Sequence, residues 1–119
     1  MQNQKSALGL DANVTALIGY PIGIVALILI FIEKDNKFVR FHAFQSLLFW
    51  AAVIVISIVL GIFAGILTAI SWALGTLFFS LFGLFELAVL IAVIFLAYKA
   101  FQGENFKLPV IGDMAEKWS

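Results

Sequence analysis

The chain is organised by two uninterrupted apolar stretches separated by one polar turn. Residues 14–32 carry no charge and end in Glu33-Lys34-Asp35-Asn36-Lys37. Nineteen uncharged, mostly apolar positions come close to the ~20 that a helix needs to cross a bilayer. Pro21 sits inside this run, flanked by Gly19 and Gly23. Near a helix start proline is tolerated, and Asn13 or Thr15 offers a capping oxygen, so one span over 14–32 is predicted.

The second stretch runs from Phe41 to Tyr98, with Glu86 as its one formally charged residue. Its length fits two long spans or three short ones, and its candidate breaks are Gly61, Gly65, Ser71-Trp72, Gly75 and Gly83. Basic residues favour the cytoplasmic side of a membrane. Lys34, Lys37 and Arg40 precede the stretch, Lys99, Lys107 and Lys117 follow it, and Lys5 alone lies in the N-terminal segment. An even number of spans between the two basic clusters keeps both inside. The prediction is an all-α integral membrane bundle in one domain, with three transmembrane helices at 14–32, 41–66 and 75–101. The N-terminus is then outside and the C-terminus cytoplasmic; four spans are the alternative.

Beyond the last span, Gly103 is placed to stop a helix and Pro109 favours extended backbone before it. Asp113 offers a cap, and Val110, Ile111, Met114 and Trp118 fall at helical spacing. Residues 104–119 therefore read as a short amphipathic foot lying at the membrane interface.

Composition strengthens the membrane reading. The chain is 64% hydrophobic and 12% charged, with mean hydropathy +1.13, against about 25% charged in an ordinary soluble domain. The formal charge is zero, which gives nucleic acid no footing as a partner. Without cysteine, disulfides and thiolate chemistry are excluded. The opening MQNQKSALGLDANV lacks a signal peptide's basic start and cleavage pattern, so the first apolar run is expected to stay in the protein. The bilayer is the expected medium.

Candidate chemistry is sparse. In NKFVRFHAFQSLLFW (36–50), His42, Gln45 and Ser46 fall at i, i+3 and i+4 on one helix face, while Arg40 points to nearly the opposite side. Arg40 is expected to snorkel to headgroup phosphates. The other three need hydrogen-bond partners that hydrocarbon does not supply, from neighbouring helices or from the C-terminal segment. Glu86 reads as a neutral carboxyl bonded to a neighbouring helix or, with four spans, as an interfacial residue after a turn at Gly83; a conduction or proton-relay role is the alternative. Two GxxxG patterns occur, Gly19 with Gly23 and Gly61 with Gly65; the second extends to a stripe of Ser57, Gly61, Gly65 and Ala69. Small residues so spaced let helix backbones approach closely. No set of ligands for heme or chlorophyll is present, and no cofactor is expected. One histidine and one mid-span glutamate do not make a converging catalytic set.

Two segments carry a family resemblance. Arg40-Phe41-His42-Ala43-Phe44-Gln45-Ser46, after Phe38 and Val39, resembles the signature of the Tic-twenty-like family. Lys107-Leu108-Pro109-Val110-Ile111-Gly112-Asp113, after Gln102-Gly103-Glu104, does so too. That family includes a component of the chloroplast inner-envelope protein translocon and short prokaryotic proteins of unknown function. The resemblance is to the short prokaryotic branch, so it implies a small helical-bundle protein of a prokaryotic inner membrane, and it supplies no catalytic residue. Three functions follow as expectations: a non-catalytic subunit or assembly factor contacting other membrane subunits or its own copies, an oligomeric channel or translocon-like pore, and, remotely, an intramembrane enzyme.

Overall fold

A computed structural model describes residues 5–119. It contains α1 (Ala12–Gly19), α2 (Gly23–Ile32), α3 (Lys37–Ile70), α4 (Trp72–Phe101) and α5 (Ile111–Trp118). The described residues up to Trp50, with Val93–Ser119, form one compact unit, and Ala51–Ala92 form a second.

The first apolar run is not one span. It is broken at Tyr20-Pro21-Ile22 into helices of 8 and 10 residues. Proline removes the N–H that would bond back one turn, and it disfavours helical backbone in the residue before it. At position 21 it falls past the first turn of α1, where that loss is not tolerated. The chain then doubles back. A Cβ placed on Gly19 would lie 3.8 Å from Leu29 and 3.9 Å from Ala26, a separation no straight helix allows across seven or ten residues. The Ala7 N–H also reaches the Glu33 carboxylate at 2.7 Å, so the approach to α1 and the exit from α2 lie together. The ten residues of α2 rise about 15 Å, half of a ~30 Å hydrocarbon core.

The two helices long and apolar enough to cross a membrane are α3 and α4. This corrects the expectation of three spans and its four-span alternative. Helix α3 starts at Lys37 because Asn36, fully buried, caps it, with the Val39 N–H donating to Asn36 Oδ1 at 3.3 Å. It continues through Gly61 and Gly65 without interruption, and α4 through Gly75 and Gly83. Of the candidate breaks, the chain uses Ser71. Helix α4 ends in a Schellman arrangement: Gly103 adopts φ +81°, its N–H donates to Ala100 O, and the Glu104 N–H donates to Lys99 O, both at 3.0 Å.

Within residues 51–92, α3 and α4 form an antiparallel hairpin. Gly75 faces Thr68, Gly61 faces Phe82, and Ser57 bonds Glu86. The register is tight at the turn, where a Cβ on Gly75 would come 2.7 Å from the Thr68 Cα. The small-residue stripe divides along this seam. Ser57 and Gly61 face α4, and the seam continues through Ala64, fully buried, and Thr68. Gly65 has open space around it and Ala69 is exposed. Steps of four residues rotate about 40° each around a helix, whereas a 4-3-4 rhythm stays on one face. A run of fours therefore walks off the seam.

Candidate functional site

Polar side chains converge where α1 and α2 meet the first turns of α3 and the segment after α4. The break at Pro21 creates the need for them, because it leaves carbonyls at the end of α1 without helical donors. Ser46 Oγ donates to Gly19 O at 2.6 Å, and Trp50 Nε1 donates to Tyr20 O at 2.7 Å. Gly23 fits beneath the same indole, its Cβ position 3.5 Å from Trp50 Cδ1.

Tyr20, His42 and Gln45 form the centre, each fully or almost fully buried. Gln45 Nε2 donates to the Tyr20 hydroxyl at 2.9 Å and to Phe106 O at 2.8 Å, while its Oε1 accepts from the Leu108 N–H at 2.9 Å. His42 Nε2 lies 3.0 Å from Glu104 O. A carbonyl only accepts, so Nε2 carries the proton and Nδ1 is the acceptor for the Tyr20 hydroxyl. One proton arrangement thus satisfies every member. Phe38 and Phe41 close edge-on against the imidazole at 4.6 and 5.0 Å between ring centres.

Arg40 departs from its expected place at the headgroups. Its Nη1 donates to Glu33 O at 2.6 Å and Ile30 O at 3.2 Å, and its Nε donates to Ser119 O at 3.2 Å. A guanidinium on the last carbonyls of α2 meets the negative end of that helix, and its planar fork serves several acceptors at once. Its carbon also stands 5.3 Å from the Phe44 ring centre, whose other neighbour is Trp118 of α5.

The tail is therefore docked along the first turns of α3. Gly112 admits the closest approach, since a Cβ there would lie 2.7 Å from Lys107 Cα and 3.0 Å from Gln45 Oε1. Lys107 bonds Glu116 at 2.8 Å and approaches Asp113 at 3.8 Å, and the bond to Glu116 holds its ammonium above the usual lysine range. Beside it, a cavity of about 430 Å³ is lined by Lys37, Phe38 and Phe41 of α3 and by Asn105 and Glu116 of the tail. Tyr20 and Trp50 are the members that the sequence reading did not single out; the place of Tyr20 directly before Pro21 would have marked it only if that proline had been read as a helix break.

Of the remaining candidates, Glu86 lies apart from this cluster, in residues 51–92, exposed and accepting a 2.8 Å hydrogen bond from Ser57. Among the described residues, no group of three or more His, Cys, Asp or Glu side chains is placed to hold a metal ion.

Comparison with known proteins places this arrangement. The chain is 42% identical over 116 residues to a UPF0132 membrane protein of Methanocaldococcus jannaschii, covering 97% of this chain and 94% of the relative. A second protein of that name from the same organism is 34% identical over 113 residues, covering 94% and 73%. One from Archaeoglobus fulgidus is 35% identical over 106 residues, covering 88% and 92%. No solved structure matches. The family model that matches, over residues 3–115, is MamF_MmsF, described as the magnetosome magnetite crystal formation protein family. That match overturns the Tic-twenty-like resemblance: the two segments that suggested it are the α3 threshold and the tail docked on it, and both lie inside the matched residues. The chain belongs to the MamF/MmsF family of small membrane proteins.

Proposed function

We propose that this protein is a non-catalytic subunit of a membrane assembly, a chain with two apolar spans and a buried polar cluster. The observation that carries the reading is the contrast between its parts. Of the most apolar 18 residues in each span, 11% in α3 and 6% in α4 are buried within the chain. By contrast, among the described residues no buried side-chain nitrogen or oxygen lacks a hydrogen-bond partner. A chain whose spans bury so little of themselves has most of its surface available to neighbours. Small residues and interhelical hydrogen bonds are the means by which such spans associate in lipid.

The same reading assigns a topology. All seven basic residues lie outside 51–92, and basic residues favour the cytoplasmic side. With two spans rather than three, the described N-terminal segment and the tail share one face, which we place in the cytoplasm of a prokaryotic cell. In a compartment where magnetite forms, as the family description has it, the hairpin would serve as part of the membrane framework.

Isolation in a gentle detergent tests the assembly reading. The protein should come away in stoichiometric association with another membrane protein or with its own copies. A monomer, free of partners at every detergent concentration, would contradict it.

A further inference from the structure

Within residues 51–92, the outward surface is mostly hydrocarbon, with the hydroxyls of Thr76 and Ser80 near the turn and a single formally charged side chain further along α4. Glu86 is the formally charged residue of this hairpin, and it is exposed, with Leu90, 55% exposed, one turn on along the same side of α4. Ser57 donates to its Oε1 at 2.8 Å, and no other hydrogen bond reaches the carboxyl among the described residues. In hydrocarbon this is half a site. An ionised carboxylate would need more donors, and the neutral acid has an O–H that lipid cannot accept. Next to it, one turn back on α4, Gly83 has nothing within 4 Å of its Cβ position. A second helix could therefore approach the carboxyl closely.

We propose that Glu86 and Ser57 form a contact between two copies of this chain, the two carboxyls pairing across a two-fold axis normal to the membrane. The self-complementarity of the group selects this occupant. A carboxylic acid carries one donor and one acceptor side by side, so two of them satisfy each other with reciprocal O–H···O bonds. Ser57 then supports the accepting oxygen in each copy. Copies inserted with the same topology bring residue 86 opposite residue 86 without further adjustment, the isologous arrangement of a two-fold dimer. This rests on the assembly reading above and names its partner.

The absence of cysteine makes the test direct. In vesicles containing only this protein, Leu90→Cys, one turn from Glu86 on the same side, should form a disulfide-linked dimer on oxidation. Leu84→Cys, about 160° round the helix, should not. Added to Leu90→Cys, Glu86→Leu should weaken dimerisation about ten-fold, the range of one or two interhelical hydrogen bonds in lipid, whereas Glu86→Gln, which keeps donor and acceptor, should retain it. Equal cross-linking at both positions, or a dimer indifferent to Glu86→Leu, overturns the proposal. So does a protein that is monomeric in vesicles. If that monomer still co-isolates with a different membrane protein, the assembly reading stands and this contact falls.

Discussion

At the scale of single residues, the polar cluster works because each member has one available role. Gln45 spends both amide hydrogens and its carbonyl oxygen on Tyr20, Phe106 O and the Leu108 N–H. Replacing it with leucine keeps the volume and strands a backbone donor, which costs about 1–3 kcal/mol for a buried group. The expected result of Gln45→Leu is at least about ten-fold faster hydrogen exchange at the Leu108 amide, with helix α3 unaffected. Val110 is the other residue under constraint. It has φ +65° and ψ −54°, and the N–H of Ile111 closes back onto Pro109 O at 2.7 Å. That is a γ-turn of the rare positive-φ kind, on a β-branched residue that strongly resists it. Strain of this sort costs about 1–3 kcal/mol, more than the roughly 0.5–1 kcal/mol of chain entropy that glycine adds. Val110→Gly should therefore raise the melting temperature; a lower one would mean that the strain is absent.

At the scale of elements, two helices owe their form to contacts the sequence does not display side by side. The break at Pro21 is stable because Ser46 and Trp50 cap the carbonyls it frees. Trp50→Phe keeps the ring beside Gly23 and removes the donor, so it should lower stability by about 1–2 kcal/mol, read as a shift in thermal midpoint in detergent. The α3–α4 hairpin depends in the same way on Gly75, where any Cβ meets the Thr68 backbone. Gly75→Ala should cost about 1–3 kcal/mol by overpacking, while Gly65→Ala, with open space around it, should be neutral or stabilising through helix propensity. The sequence could suggest the polar strip of His42, Gln45 and Ser46, because i, i+3 and i+4 spacing is local. It could not show that Arg40 would cap α2 from ten residues away, since a guanidinium has equally good acceptors in lipid headgroups and in backbone carbonyls. Nor did spacing by fours reveal the helix seam, which follows a 4-3-4 rhythm through Ala64 and Thr68.

At the scale of the whole molecule, hydropathy made the membrane class and the helical content legible, because both follow from composition and run length. Span count was not, and the reason lies in one residue. Length alone qualified 14–32 as a span, and Pro21 was close enough to the start of that run to pass for a tolerated first-turn proline. The structure instead turns the chain back there, and the two-span reading proposed above puts both described ends on one face rather than on opposite faces. Cysteines placed singly at Ser6, Thr76 and Ser119 and labelled with a membrane-impermeant thiol reagent measure that difference most directly. The two-span account predicts that Ser6 and Ser119 react from the same side and Thr76 from the opposite one. Labelling of Ser6 and Ser119 from opposite sides would contradict it.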